Sequence, residues 1–419
     1  MHDWSSAMLG ELVSFQKGRK VDVSDYVQPG FAPYLGASIL DGGAVTQFAS
    51  TRGAVVATEN DVLMLWDGER SGLVGRGQPG VVSSTVSKLT PKPTIAGALL
   101  YYLLDFHFEW IQGRRTGTGV PHVPKDLSRI LKLQFPPDSA RQQRIADILS
   151  TVDEAIEQTE ALIAKTQQIK AGLMHDLFTR GVTPDGQLRP PREEAPKLYK
   201  ESPLGWIPKE WDVRQLRSCL LDNPTNGIYK PAHLIGRGTL LIGQAAFTAE
   251  RSIDFSLSRR AVVSDEELRR YEVAADNVLV SRVFATVEGV GLPTLVPALP
   301  EPAVYESNMM RLRVDRNAIR PRLLFEWLRN PLARQRIEAG VNASNQASVN
   351  QGALNPLPVI WQPSEEQDRL VDIIEEHDEK YASERATLAK MQSVKRGLMH
   401  DLLTGRVRVP AAELKEVAI

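Results

Sequence analysis

One long segment occurs twice in this chain, and the duplication constrains the fold more than any other feature of the sequence. Gly172-Leu173-Met174-His175-Asp176-Leu177 returns as Gly397-Leu398-Met399-His400-Asp401-Leu402, an offset of 225 residues from 172 to 397. A repeat with so long a period predicts a duplicated architecture. The same offset, without a gap, pairs Gln142 with Gln367, Arg144 with Arg369, Asp147-Ile148 with Asp372-Ile373, Asp153-Glu154 with Asp378-Glu379, Lys165 with Lys390, and Lys170 with Lys395.

Each copy of the repeat has the pattern of a long amphipathic helix. Apolar residues recur at steps of 3, 4 and 7 from Asp138 to about Arg180, and again from about Ser364, a favourable N-cap, to Leu403. A helix of ~40 residues spans roughly 60 Å, more than a small domain needs. The apolar stripes are expected to pair the two helices or to contact a partner, through Ile145, Ile148, Leu149, Val152, Ile156, Ile163, Ile169 and Leu173 in the first, and Leu370, Ile373, Ile374, Tyr381, Leu388, Met391, Val394 and Leu398 in the second.

A globular segment precedes each helix. Residues 1–137 contain short β-rich runs separated by glycine turns, a helical stretch at 95–111 and a strand-like run at 126–135. The second segment echoes the first: Trp211 matches Trp4, and 276–280 resembles 60–64. We therefore predict an α+β fold. Its predicted divisions are a first globular domain at 1–137, a helix at 138–182, a proline-rich linker at 183–196, a second globular domain at 197–362, a helix at 363–407 and a tail at 408–419.

Composition narrows the class of protein. The chain has 419 residues, 42% of them apolar, but no run of 18 apolar residues, so no transmembrane helix is predicted. Its N-terminus lacks the pattern of a signal peptide, and the single Cys219 excludes an internal disulfide and a cysteine-rich zinc site. We expect a cytoplasmic protein. The net charge of −1 argues against a protein that coats nucleic acid without specificity.

No catalytic, metal or cofactor motif is recognisable. The sequence has no phosphate-binding GxxxxGK[ST], HExxH or GxSxG pattern, and the GxGxxG match at 75–80 is not followed by a helix. His175 and His400 each stand near a helix end, where a histidine complements the helix dipole, and we interpret both as structural. Gly172 and Gly397 destabilise a helix interior, which predicts that helix backbones approach closely there.

The best candidates for function are two polar loops in equivalent places, 113–119 and 342–351. Arginine suits guanine edges and phosphates, whereas asparagine and glutamine suit adenine. Either loop alone is typical of an ordinary surface loop, but their matched placement makes DNA recognition an equal alternative. With other exposed basic residues, the predicted DNA-binding set is Lys17, Arg19, Lys20, Arg70, Arg76, Arg114, Arg115, Thr116, Lys230, Arg237, Arg282, Asn342, Asn345, Gln346, Asn350 and Gln351.

Three motifs carry a family resemblance in addition to the duplication. They are Gly-Trp-Ile-Pro-Lys-Glu-Trp at 205–211, Glu366-Gln367 shortly after Pro363, and Lys-Arg-Gly-Leu-Met-His-Asp-Leu-Leu-Thr-Gly-Arg-Val at 395–407. Over nearly its full length the chain resembles the specificity subunits of type I restriction–modification systems. The first half departs from the pattern: it lacks the Gly-Trp-Ile-Pro opening, and its helix begins Ser-Ala-Arg-Gln instead of Ser-Glu-Glu-Gln.

The resemblance implies two target-recognition domains, each reading one half of a bipartite, gapped DNA site. It also implies a pseudo-two-fold plan, with the long helices paired antiparallel as a spacer that docks two N6-adenine methyltransferase subunits, to which restriction subunits add. The chain itself would hold no cofactor, and S-adenosylmethionine would bind to the partner. Two alternatives stay open at the level of sequence: the specificity subunit of a type II-like enzyme, and a coiled-coil scaffold unrelated to DNA.

Overall fold

The structure, a computed structural model, describes residues 4–117, 119–248, 251–343 and 347–410. The chain divides into two compact units. Unit 1 comprises Met1–Ile163 and Ser383–Ile419, and unit 2 comprises Ala164–Ala382. This division passes through both long helices, whereas the predicted boundaries treat each helix as a separate segment, so those boundaries stay a prediction. In the part of the chain that the structure describes, no helix is both long and apolar enough to cross a membrane.

Unit 1 contains eleven strands among its described residues. They are β1 (Ser5–Met8), β2 (Val13–Lys17), β3 (Val23–Ser24), β4 (Phe31–Leu35), β5 (Phe48–Ser50), β6 (Val56–Ala57), β7 (Val62–Leu65), β8 (Val74–Arg76), β9 (Gly80–Val82), β10 (Val86–Pro91) and β11 (Lys132–Phe135). Its short helices are α1 (Leu9–Leu12), α2 (Ala37–Leu40), α3 (Gly97–Phe106), α4 (Phe108–Gln112) and α5 (Leu127–Ile130), and the first long helix, α6 (Ser139–Thr179), begins here.

Unit 2 repeats this plan with its own elements. Its described strands are β12 (Tyr199–Ser202), β13 (Gly205–Pro208), β14 (Asp212–Gln215), β15 (Thr225–Asn226), β16 (Ile235–Ile242), β17 (Arg259–Ala261), β18 (Glu272–Val273), β19 (Val278–Ser281), β20 (Val283–Phe284), β21 (Pro293–Leu295), β22 (Ala303–Tyr305), β23 (Met309–Leu312), β24 (Asn342–Ala343), β25 (Ala347–Ser348) and β26 (Pro358–Trp361). The helices are α7 (Asp265–Tyr271), α8 (Pro321–Arg329), α9 (Pro331–Ala339), α10 (Gln351–Leu354) and the second long helix, α11 (Ser364–Leu403).

The two units have matching internal topology. The sheet β2-β10-β7-β8 of unit 1 corresponds to β15-β23-β19-β21 of unit 2, and the pair β1-β11 corresponds to β14-β26. A second sheet contains one parallel pair in each unit, β4 with β9 and β16 with β22, and each pair carries an antiparallel neighbour, β6 or β18. The central strands β7 and β19 are buried along their whole length, as their apolar sequences require. The predicted α+β fold with two long helices is confirmed.

Within each unit, segments of the two long helices lie antiparallel. In unit 1, Asp153 of α6 contacts Lys395 of α11, and Thr159 of α6 contacts Met391 of α11. The contacting residue on α11 therefore comes earlier in the chain as the residue on α6 comes later. Unit 2 shows the same sense, because Gln167 Nε2 donates to Tyr381 Oη at 2.7 Å and Lys170 contacts Asp378.

The apolar stripes of the helices are buried unevenly. Ile145, Leu149, Leu370 and Ile374 are at most 1% exposed and belong to the cores of their units. Partly exposed members are Ile148, Val152, Ile156, Ile163, Leu173, Ile373, Tyr381, Leu388, Met391 and Leu398. Two positions that the repeat equates, Ile169 and Val394, remain 51% and 47% exposed. The predicted stripe is therefore partly core and partly open surface.

A duplicated glutamine fastens each long helix to its globular domain. In unit 1, buried Gln142 accepts a hydrogen bond from the backbone N–H of Ala96 (2.7 Å) and donates to the carbonyls of Thr94 (3.1 Å) and Pro136 (2.8 Å). In unit 2, Gln367 accepts from the N–H of Arg320 (2.7 Å) and donates to the carbonyls of Ala318 (3.2 Å) and Gln362 (2.8 Å). Ala96 and Arg320 are the N-cap residues of α3 and α8, so the two anchors are equivalent.

A tryptophan covers the glycine at the end of a long helix in each unit. Gly181 has φ +61°, and a Cβ there would lie 2.2 Å from the ring of Trp211; Gly405 has φ +70°, and a Cβ would lie 2.8 Å from the ring of Trp4. Only glycine tolerates both the left-handed backbone and this approach. In unit 2 the Trp211 indole also donates to Glu366 (2.9 Å), a buried carboxylate that accepts hydrogen bonds from Arg189 and from the backbone of Val182 (3.0 Å).

The close approach predicted at Gly172 and Gly397 is not found among the described residues. Both glycines are exposed, and apart from the adjoining residues of its own helix no described atom lies within 4 Å of the position that a Cβ would occupy at either one. Their presence in the helices therefore needs another explanation than intramolecular packing.

Candidate nucleic-acid interface

The polar loop of unit 1 forms a small hairpin, residues 113–123, which we call the unit 1 hairpin. Thr116 and His122 exchange backbone hydrogen bonds of 3.0 and 2.8 Å, and the N–H of Val123 donates to the carbonyl of Trp66 at 3.0 Å. His122 also forms an antiparallel bridge with Asp67. Because Trp66 and Asp67 directly follow β7, the buried central strand positions the hairpin.

Several predicted basic residues lie around this hairpin. Lys17 Nζ is 2.7 Å from Asp67 Oδ2, while His122 Nδ1 lies 2.7 Å from the other oxygen of the same carboxylate. Arg115 donates to the carbonyls of Gln112 (3.0 Å) and Glu69. The exposed Arg114 guanidinium stacks on the ring of Trp110 at 3.9 Å. The structure thus brings Lys17, Arg114, Arg115 and Thr116 together on one edge.

The remaining predicted residues of unit 1 are placed differently. Arg19 and Lys20 are exposed just after β2. Arg70 pairs with Asp41, and its hydrogen bond holds the pKa of that exposed carboxyl below the ordinary value. Arg76 turns toward the long helix, where it contacts Ser150 (3.1 Å), Asp153 (3.1 Å) and Tyr102. Its described contacts are structural ones.

The polar loop of unit 2 folds in the same register. Strands β24 and β25 pair so that Asn342 lies opposite Ser348, and Ser348 in turn lies opposite Val283 of β20. The N–H of Val349 donates to the carbonyl of Arg282 at 3.0 Å, as Val123 does to Trp66. We call 340–349 the unit 2 hairpin. Of its predicted residues only the backbone is described for Asn342, and Asn345 and Gln346 lie outside the described residues.

The other predicted residues of unit 2 range from exposed to buried. Exposed Asn350 caps α10 by accepting from the N–H of Ala353 (3.0 Å), and Gln351 donates to the carbonyl of Pro224 (2.5 Å). Arg282 donates to the carbonyl of Ser307 (3.3 Å), beside the hairpin. Arg237 is exposed, but Lys230 is nearly buried against both carboxylate oxygens of Glu267, each at 2.7 Å.

Two residues that stabilise the hairpins have no local signal in the sequence. His122 meets Asp67 across 55 positions of sequence. Gln244 donates to the carbonyls of Val283 (2.8 Å) and Asn308 (3.2 Å) and so steadies β20 in unit 2. A histidine or glutamine whose partner is this distant in sequence is visible only once the fold is known.

Comparisons with known proteins agree with this architecture. A family model described as "Type I restriction modification DNA specificity domain" matches residues 1–168. The chain is similar to the type I restriction enzyme MjaVIII specificity subunit of Methanocaldococcus jannaschii, 26% identical over 417 residues, covering 97% of this chain and 93% of that protein. It is also similar to the type I restriction enzyme StySPI specificity subunit of Salmonella potsdam, 20% identical over 401 residues, covering 89% and 81%.

Solved structures share the fold over the full length. The crystal structure of the type I restriction–modification S subunit from M. genitalium aligns with a TM-score of 0.59 at 16% identity, covering 96% of each chain. A chain from a structure on complex assembly and conformational transition of the type I system aligns with a TM-score of 0.55 at 14% identity, covering 97% and 98%. The duplicated motifs, the family model over residues 1–168 and the full-length relatives agree, and over nearly its whole length the chain is similar to specificity subunits of type I restriction–modification systems.

Proposed function

We propose that this protein reads a bipartite, gapped sequence in double-stranded DNA and positions adenine-methyltransferase subunits on it. The observation that carries the proposal is the pair of hairpins. Each unit mounts a hairpin in the same register on the segment that follows its central strand, yet the side chains differ: Thr116 and His122 in unit 1 stand where unit 2 has Asn342 and Ser348. One scaffold with two different edges suits two half-sites of different sequence.

The chemistry of the hairpin edges supports base reading. In unit 1, Lys17, Arg114 and Arg115 supply cations, and a guanidinium can bond to both acceptors of a guanine edge or to a phosphate. In unit 2, the exposed amides of Asn350, the N-cap of α10, and Gln351, its first residue, lie directly after the hairpin. Arg19, Lys20, Arg70, Arg237 and Arg282 are proposed as further contacts.

An exposed stripe on each long helix supports docking of two copies of one partner. Lys165, Ile169, Gly172 and His175 are all exposed, and the spacing of 4, 3 and 3 places them on one face of α6. The same offset repeats the stripe on α11 as Lys390, Val394, Gly397 and His400, again all exposed. Burial within the chain cannot account for residues that both copies keep on the surface. We assign these stripes to methyltransferase subunits, which would carry the S-adenosylmethionine.

Restriction subunits form the second part of the proposed complex. The relatives are named as subunits of restriction enzymes, which supports a nuclease component. We propose that the assembly works in the cytoplasm, where it meets chromosomal DNA.

Methylation sequencing tests the proposal. The subunit is co-expressed with its modification subunit, and methylated adenines are mapped across the genome. A two-part motif with a fixed gap is expected. Arg114→Ala should relax one half of the motif and leave the other half and the gap unchanged, whereas Arg129→Ala, an exposed arginine on α5, should leave all of it unchanged. No motif in the wild type, or the same motif in Arg114→Ala, would contradict the proposal.

The spacer can be tested by length. Inserting one helical turn, about 4 residues and ~6 Å, at 155–168 and at the equivalent 380–393 should lengthen the gap by about 2 base pairs. An unchanged gap would argue against a helical spacer that sets the separation.

A further inference from the structure

The internal repeat produces the same ion pair twice, each time between the two long helices. In unit 1, Asp153 of α6 meets Lys395 of α11, with Oδ1 and Nζ 2.7 Å apart. In unit 2 the partners exchange helices, so that Lys170 of α6 meets Asp378 of α11 at 2.5 Å, again through Oδ1. The offset of 225 equates Asp153 with Asp378 and Lys170 with Lys395. The two ion pairs are therefore equivalent, with the aspartate on α6 in unit 1 and on α11 in unit 2.

Each aspartate uses its second oxygen to hold the globular part of its unit. Arg76 of β8 contacts Asp153 Oδ2 at 3.1 Å, and the Tyr102 hydroxyl donates to the same oxygen at 2.7 Å. In unit 2, Arg322 of α8 contacts Asp378 Oδ2. The two carboxylates thus divide their oxygens in the same way, one for the opposite helix and one for the domain. The arginines come from different elements, so this arrangement was not copied as a single sequence segment.

The four charged side chains are partly shielded from water, so the distance between the charges affects the interaction energy of each pair. The side chains of Asp153 and Lys395 are 23% and 22% exposed, and those of Asp378 and Lys170 are 30% and 28% exposed. Burial alone would raise the pKa of Asp378, but the Lys170 hydrogen bond and the Arg322 charge outweigh it and the pKa is lowered. Displacing either helix by one turn would separate these charges in a partly desolvated site.

Apolar contacts alone specify helix register weakly. A stripe that recurs every 3, 4 and 7 residues can pack in more than one register, whereas a polar contact inside a helix interface favours one. The stripe here is only partly buried, with Ile169 and Val394 about half exposed. A register determinant is therefore needed, and the duplicated pairs are placed to supply it.

We propose that Asp153–Lys395 and Lys170–Asp378 form a duplicated register lock, which fixes the axial register of the paired helices and the seating of each domain on them. The four residues, with Arg76 and Arg322, act as positioning residues for target recognition. The expectation that the pairs permit a single gap length in DNA rests on the proposed function. The expectation that they fix the register of the two helices is independent of that function.

The gap length tests the lock in the complete complex. The subunit carrying Lys170→Met and Lys395→Met is co-expressed with the modification subunit, and the methylated sites are mapped. We expect the share of methylated sites with a gap other than the wild-type gap to rise about tenfold, because each aspartate loses a partly desolvated partner. The matched control is Lys132→Met with Lys380→Met, one exposed lysine in each unit that belongs neither to the ion pairs nor to the proposed docking stripes. Lys170→Arg with Lys395→Arg should retain the wild-type gap.

Crosslinking of the purified subunit tests the register without DNA. Thr159 and Met391 contact each other in unit 1, with Oγ1 and Sδ 3.5 Å apart, so T159C and M391C report register through a short bifunctional thiol reagent. Lys395→Met should lower the crosslinking yield severalfold while helical circular dichroism stays unchanged.

The outcomes separate the two proposals. A wild-type complex that methylates no bipartite site contradicts the proposed function and leaves the crosslinking result to decide the lock. Unchanged crosslinking and an unchanged gap in the methionine variants overturn the lock. Loss of helical signal in those variants but not in the control also overturns it, since the pairs would then hold the fold and not the register.

Discussion

The glutamine anchor gives the sharpest test of how each domain is mounted on its helix. Gln142→Ala removes one accepted and two donated hydrogen bonds from a side chain that is 1% exposed. At about 1 kcal/mol for each bond, and with the N–H of Ala96 left without its partner, the expected loss is about 3 kcal/mol. Unit 1 spans about 200 residues, for which 1 kcal/mol lowers the melting temperature by about 2–4 °C. The expected decrease is therefore about 6–12 °C.

Differential scanning calorimetry of the purified subunit measures this shift. Gln143→Ala is the matched control. Gln143 follows Gln142 directly but is exposed, and its side chain donates to Asp147 one turn away (2.8 Å). This substitution should change the free energy of unfolding by less than about 0.5 kcal/mol. Gln367→Ala should reproduce the effect in unit 2. Gln142→Glu keeps the acceptor but directs a carboxylate at two carbonyls, so at pH 7 it should be less stable than Gln142→Ala. If Gln142→Ala lowers the melting temperature no more than Gln143→Ala does, the conclusion that Gln142 anchors the helix to its domain is wrong.

For three further substitutions, the structure determines whether the stability of the subunit rises or falls. Glu366→Gln leaves the nearly buried Arg189 without its counter-ion and should cost about 3 kcal/mol in urea unfolding; recovery on adding Arg189→Met is expected, and a neutral single variant would contradict the network. Gly172→Ala should stabilise the isolated subunit by about 1 kcal/mol, because open space adjoins an exposed helical glycine; an unchanged unfolding free energy would count against this. Burial raises the pKa of Asp105 despite Lys395. The stability that Asp105 contributes is therefore present below its ordinary pKa and lost as pH rises through the folded value. Asp105→Asn should accordingly gain stability over the wild type between pH 4 and pH 7, and a pH-independent difference would show the sign to be wrong.

The long helices were predictable because their signal is local and repeated. An apolar period sustained over ~40 residues leaves few alternatives to a helix, and the predicted span of 138–180 agrees closely with α6 (Ser139–Thr179). The equivalence of β7 and β19 was likewise visible, since both are short apolar runs after an Asp-Asn or Asn-Asp turn. Pattern and repetition predicted the plan of the fold.

Contacts between distant residues were not predictable. The run 126–135 was predicted as a strand, but its first part is the helical turn α5, in which Leu127 is fully buried. Residues 183–196 have the composition of a linker, yet Arg189 within them makes a bidentate ion pair with Glu366, 177 positions away. The hairpin register depends on backbone pairing with the segments after β7 and β19, and no periodicity encodes that pairing.

The residues that attach each domain to the long helices are distinct from the residues at the hairpin edges. The mounting residues are the same in the two units: Gln142 and Gln367 make equivalent bonds, and Trp4 and Trp211 cover equivalent helix ends. The hairpin edges differ in almost every side chain while their backbone register is shared. Because backbone bonds to the central-strand segment hold the hairpins, side chains at their exposed edge can change without disturbing the mount. Under the proposed function, such a domain would acquire a new half-site while the register of the helices stays constant, and exchanging residues 113–123 alone is expected to alter one half of the methylated motif and not its gap.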